Sequence, residues 1–230
     1  LSPVVGQFYQ GHLTGYIAVL HLNEPKRAAP LLFQPDAHGR MFRQRLQVTP
    51  AVQLQEQLLN SVFWIDAISI ADPVHASGAL SFSYLMLALT GLYGRVSKGL
   101  APTARGAGGI RLRQHLRNLI RDWGWPRDLF EIRKRSNRDP QRPFMLFNPS
   151  GRYLLRYHAE QVPDPHSRVM LAPPAKDGEQ ALSVDYRVVE QDVDSVLRSH
   201  QVLADWLTRT GLGRLDYLHE AEARRQAVHD

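Results

Sequence analysis

An α+β fold is predicted by three features of the sequence. Short β-rich runs separated by turn signals recur on both sides of a helical middle, which argues for antiparallel strands. The stretch "RYLLRYHAE" (152–160) sends Tyr153, Leu155, Tyr157 and Ala159 to one face and Arg152, Arg156, His158 and Glu160 to the other. That is the period of a strand with one face on a core and the other toward water or a substrate. Late in the chain Val193, Val196, Leu197, His200, Leu203 and Leu207 form the apolar stripe of a helix.

Taken in order, "TGYIAVLHLN" (14–23) is apolar on both faces and reads as a central strand, while "RMFRQRLQV" (40–48) alternates and reads as a more exposed one. Thr49 is placed to cap a helix with Pro50 at its first position, running to about Asn60. "SVFWID" (61–66) either continues that helix or starts a strand. A helical region follows over "ALSFSYLMLALTGLYG", with a Gly-rich break at "GAGG" (106–109) and an Arg-studded helix over about 111–123. Strands return at "FMLFN" (144–148), 152–160, "SRVML" (167–171) and "ALSVDYRV" (181–188). The last helix opens on Glu190, Asp192 and Asp194, acids that suit the positive end of its dipole, and Gly211 ends it.

At 230 residues, with 43% hydrophobic and 22% charged residues, the chain can hold a substantial core. Its longest apolar run, 79–89, falls short of the roughly 18 to 20 residues of a membrane span. There is no cysteine, hence no disulfide, thiol nucleophile or cysteine zinc site, and the opening residues, "LSPVVGQFYQGH", do not read as a signal peptide. A reducing, cytoplasmic compartment is the expectation. The net charge of +6 is uneven: 95–142 holds 13 Lys/Arg against 4 Asp/Glu, and the remainder 15 against 18. This basic segment lies in a helical insertion expected over 79–142. Its arginines are either solvated helix faces or a module for an anionic surface, including peripheral contact with a membrane. Nucleic acid is disfavoured, because no recognition-helix motif or base-stacking aromatic series accompanies the charge.

Self-contained chemistry is absent from the motifs. No H-E-x-x-H, G-x-S-x-G or G-x-x-x-x-G-K-[ST] occurs, and the ten histidines are scattered. Asp72 with His75 supplies at most half a metal site and reads better as a turn hydrogen bond.

Four stretches together resemble one family. "VVGQFYQGH" (4–12) is similar to the V-G-[RQ]-x-x-x-D-H segment of the glucose-methanol-choline (GMC) flavin oxidoreductases, with Gly6 and His12 at matching spacing and Gly11 in place of Asp. "LLNSVFWIDAISIADPVHASGALSFSYLMLAL" (58–89) resembles the segment that follows in bacterial members. "EQVPDPHSRVML" (160–171) resembles E-Q-x-P-x-P-x-[SN]-R-V-x-L, and residues 184–217 are similar to the family's closing helix and strand. Order and spacing carry the resemblance more than any single motif.

The resemblance implies a substrate-binding (cap) domain over 1–230: an antiparallel sheet of about six strands backed by helices and laid over a flavin. It implies FAD as cofactor, a flavin-binding domain of the same parent as partner, a small-molecule alcohol as substrate, and an electron acceptor, oxygen or a carrier, that the residues leave open. The G-x-G-x-x-G unit that approaches the flavin pyrophosphate does not occur here, nor does the family's His-containing G-T-x-x-M-G segment. The chain alone is therefore expected to hold no FAD and to be inactive, with the catalytic groups outside it. On this reading Arg156, His158 and Glu160 contact substrate, and His12 lies near the flavin edge or holds the domain junction.

Overall fold

The computed structural model describes residues 4–92, 111–138, 145–173 and 180–229. Its fold is α+β, as predicted. The run that is apolar on both faces becomes β1 (Leu13–Leu22), buried between two antiparallel neighbours. An irregularity between Tyr16 and Ala18 resets its alternation. Ile17 and Leu20 thus join the large core, while Tyr16 and Val19 belong to a smaller cluster on the opposite face.

The single strand expected over 40–48 is divided. β2 (Gln34–Pro35) and β3 (Met41–Phe42) form a small ribbon, and only β4 (Leu46–Gln47) joins the main sheet. Between β3 and β4, Arg43 turns inward and donates to the Ile65 carbonyl at 2.9 Å and to Asp66 at 3.0 Å, so the chain leaves one continuous ladder. Next, α1 (Pro50–Gln55) is shorter than expected. Gln57 adopts φ 52° and the Leu58 N–H returns to the Gln53 carbonyl, which closes the helix early; the Thr49 side chain makes no capping bond. The chain is then free to enter β5 (Ser61–Asp66), which settles "SVFWID" as a strand.

A short 3-10 turn at Pro73–His75 leads to α2 (Gly78–Leu89), whose N-cap Ser77 accepts the Leu80 N–H. α3 (Leu112–Arg121) and α4 (Trp125–Arg138) complete the helical middle. Within the insertion expected over 79–142, residues 93–110, which include "GAGG", and residues 139–142 lie outside the described residues. The strand expected at 144–148 does not form over 145–148, and Phe144 is not described. Here Asn148 gives its N–H to Tyr153 Oη at 2.8 Å and its side-chain amide to the Arg152 carbonyl, building a turn instead.

β6 (Arg152–Ala159) pairs with β1 and β5. β7 (Arg168–Leu171) and β8 (Leu182–Asp185) pair with each other as a separate ribbon, and Val169 also donates its N–H to the Gly6 carbonyl at 2.7 Å. α5 (Glu190–Arg209) ends at Gly211, whose φ of 68° favours glycine, and β9 (Gly213–Tyr217) and α6 (Ala221–His229) follow. The main sheet has five antiparallel strands in the order β4, β5, β6, β1, β9, flanked by the two small ribbons.

One face of this sheet is the core. Ile17, Leu20, Phe63, Ile65, Tyr153, Leu155 and Tyr157 meet Val193, Val196, Leu203 and Leu207 of α5. Apolar burial there is the main source of stability. Leu155, with no exposed surface, sits at the middle of that layer. Leu155→Ala is expected to lower the unfolding free energy by about 2 to 5 kcal/mol. Urea denaturation measures it, and a loss under about 1 kcal/mol would place Leu155 outside the core.

Candidate functional site

The other face of β6 carries the polar set. Strand register aligns Trp64, Arg156 and Tyr16 in one row across β5, β6 and β1, and Val62, His158 and Thr14 in the next. The face divides into two parts. Toward one end Val19, Leu154 and Ile68 are buried beneath Val74 and Leu218. Toward the other, Arg156 keeps 39% of its side chain exposed and His12, Thr14 and Arg45 are exposed outright.

Trp64 organises this exposed part. Its indole is 8% exposed because guanidinium groups cover it: Arg45 lies 4.5 Å from the ring centroid, Arg43 5.5 Å and Arg156 5.7 Å. Cation–π attraction to the largest aromatic face fixes three long side chains that would otherwise be mobile. They are not equivalent. Arg43 is engaged with Asp66 and the Ile65 carbonyl. Arg156 spends Nε on Thr14 Oγ1 at 3.3 Å and stands 3.9 Å from Asp66. Arg45 has neither an ion pair nor a hydrogen bond among the described residues. Tyr16 donates its hydroxyl to Asp66 Oδ2 at 2.8 Å. Burial and that bonded carboxylate push the phenol up to about 12, so it stays protonated.

His12 and His158 meet at the edge of the patch, with ring centroids 4.4 Å apart, and Trp64 stands edge-on to His158. Burial first, then His12, Arg45 and Arg156, push His158 below the ordinary histidine range. The same causes hold its imidazole in the neutral form at neutral pH, in which one ring nitrogen can accept a hydrogen bond.

The segment bearing His12 is held by a buried glutamine. Gln161 accepts the Gly11 N–H at 3.0 Å with its side chain and the Gln10 amide at 2.7 Å with its carbonyl. Its own amide donates to the Arg187 carbonyl and to Asp192, at the start of α5. Gly11 lies directly against Tyr186, and a Cβ there would come within 2.8 Å of that ring.

Of the four residues singled out from the sequence, the structure brings Arg156, His158 and His12 together. Glu160 stands at the strand's end, where its carboxylate accepts the Asn60 amide at 3.2 Å. Sequence reasoning missed Trp64, Tyr16, Asp66, Arg43 and Arg45. A signal existed for Trp64 and Asp66, since "SVFWID" read as a strand puts both on the face opposite Phe63 and Ile65.

At the covered end a cleft of about 300 Å³ is bordered by Asp72, Arg152, Arg214 and Asp216. Asp72 accepts the Val74 N–H at 3.1 Å with its side chain and the His75 N–H at 3.3 Å with its carbonyl, so Asp72 and His75 share a turn. Among the described residues no group of three or more His, Asp or Glu is placed to hold a metal ion, and no helix is long and apolar enough to cross a membrane.

Chemically, the exposed patch offers guanidinium N–H groups in excess of its one carboxylate, a neutral imidazole and an exposed second one. That set can hold an oxyanion or a polarised hydroxyl and orient it across the sheet face. Compared with known proteins, the chain matches no family model, no curated protein and no solved structure.

Proposed function

We propose that this chain is the substrate-binding domain of an FAD-dependent alcohol oxidoreductase of the GMC type. One observation carries the reading: His12, from the flavin-edge motif, and His158, from the polar strand, belong to distant parts of the sequence yet lie with ring centroids 4.4 Å apart on one exposed sheet face. An antiparallel sheet with helices on one side and a polar, partly open other side suits a cover over a flat cofactor and its substrate.

The residues fit such a role but not the holding of FAD by themselves. Arg45 and Arg156 have N–H groups to spare for an electron-rich partner, whereas the G-x-G-x-x-G pattern that approaches a pyrophosphate does not occur in the sequence. When bound by the partnering domain, the flavin supplies the hydride-accepting step. The residues here orient the substrate: Arg156 and His158 contact its polar groups, His12 borders the cofactor edge, and the buried sheet behind excludes water. The catalytic base and the electron acceptor belong to other parts of the system.

Arg156→Gln and His158→Ala in the parent protein, with its flavin-binding domain, test this. Both side chains are partly exposed and rest on the sheet without supporting it, so the melting temperature should stay near wild type. Alcohol-dependent flavin reduction should fall roughly ten-fold or more. Normal turnover in both variants, or an FAD-loaded parent that no alcohol reduces, would overturn the proposal.

A further inference from the structure

α3 is amphipathic in the reverse sense for a helix packed on a protein interior. Its buried side is polar. His115 has no exposed surface; its Nε2–H donates to the Ala71 carbonyl at 3.3 Å, so Nδ1 accepts the Ser81 hydroxyl at 3.1 Å. Asn118 donates to the Pro73 carbonyl and to Ser81 Oγ. The outer side is apolar instead: Leu112, Leu116 and Ile120 recur at every fourth residue and are 49%, 44% and 69% exposed. Trp123, just beyond the helix, is 87% exposed.

Those inward bonds also fix the neighbour. Gly78 donates to Asp122, Ser81 meets Asn118 and His115, and the Tyr84 ring stacks on His115. α2 and α3 therefore run antiparallel, which brings the exposed Met86 and Leu89 of α2 toward Leu112.

Charge identifies the occupant. Arg113, Arg117 and Arg121 alternate with the apolar residues, Arg111 precedes them, and α3 contains no acid. Leu, Ile and Trp at the centre with guanidinium groups beside them match the lipid–water boundary, where apolar groups sink below the headgroups and arginines reach up to phosphate. At about 15 Å long the helix can lie in that boundary but not span it. We propose that the outer side of α3, with Trp123 and the end of α2, docks on an anionic lipid surface. The face lies on different elements from the His12–His158 patch and stands whether or not the chain oxidises alcohols.

Flotation of the 230-residue chain with vesicles tests it. The chain should rise with phosphatidylcholine vesicles containing phosphatidylserine at low salt, and raised salt or pure phosphatidylcholine should weaken binding. Trp123 should shift its emission to the blue on binding, a shift lost in Trp123→Phe. Arg113→Gln with Arg117→Gln should weaken binding roughly five-fold per arginine removed. Leu116→Ser with Ile120→Ser should abolish it, while Leu54→Ser, exposed on α1, should leave it unchanged. All these positions are exposed, so the variants should remain folded by circular dichroism. Absence of flotation on phosphatidylserine vesicles at low salt, or binding that both double variants retain, would overturn the proposal. So would a dimer that forms through this face and is lost in Ile120→Ser.

Discussion

Acidification from pH 6.5 to 4 is expected to strip about 5 kcal/mol from the unfolding free energy through two buried histidines, roughly 2 to 3 kcal/mol from each. His75 and His200 are both fully buried, and burial pushes each from 6.5 down to about 4. The bonding explains why. His75 Nδ1 accepts the Ser77 N–H at 2.9 Å while Nε2–H donates to the Ile70 carbonyl, so a second proton would have to displace a backbone donor. His200 donates Nδ1–H to the Val196 carbonyl at 2.7 Å. Among the described residues its Nε2 has no hydrogen-bond partner between the rings of Phe63 and Tyr157, so a charge there would be poorly solvated.

Because both folded-state values lie below the free value, the unfolded chain takes up the extra protons between pH 6.5 and 4. Stability is thus complete above pH 6.5 and falls as pH drops through that window. Urea denaturation at several pH values measures the slope. His200→Phe should remove about half of it, since a ring of similar shape that cannot protonate replaces the imidazole. A wild-type slope that His200→Phe leaves intact would mean that His200 does not titrate in that window.

The acid-sensitive core also shows what the sequence could and could not reveal. Strict alternation made the two faces of β6 legible, and the apolar stripe of α5 identified the partner of its buried face. His200 was readable as part of that stripe, yet nothing local indicated that its Nε2 would end among aromatic rings. Trp64 was obscured because "SVFWID" has no clear period, and its helix or strand character is decided by a turn at Gln57 and by pairing with β6. The strand expected over 40–48 failed for a similar reason: Arg43 finds its acceptors on β5, a contact between segments distant in sequence. Glu160 has the right parity for the polar face, but Asn60, brought beside it by the same pairing, takes its carboxylate. On α3 a reader of periodicity would turn the leucines inward; partners for His115 and Asn118 on α2 and its approach reverse that choice.

Replacing Asp192 by alanine is expected to cost about 3 to 5 kcal/mol, more than any surface ion pair in the fold. Its carboxylate, 1% exposed in the first turn of α5, accepts the Val162 N–H at 2.7 Å, the Val189 N–H at 3.0 Å and the Gln161 amide at 3.2 Å. Three donors lose their acceptor at once, two of them backbone groups, and the helix N-terminus loses a favourable charge. Asp192→Asn should be milder, roughly 2 kcal/mol, because one carbonyl oxygen remains while the amide confronts other donors. Asp194→Ala is the control: that carboxylate is exposed and among the described residues pairs with Arg225, so its loss should stay under about 1 kcal/mol. Beyond stability, Asp192 anchors Gln161, and Gln161 anchors Gln10 and Gly11 beside His12. Asp192→Asn, if folded, should weaken the His12–His158 contact, visible as a loss of nuclear Overhauser effects between the two rings. Retention of that contact together with wild-type stability in Asp192→Ala would show that the His12 segment is held by something other than this carboxylate.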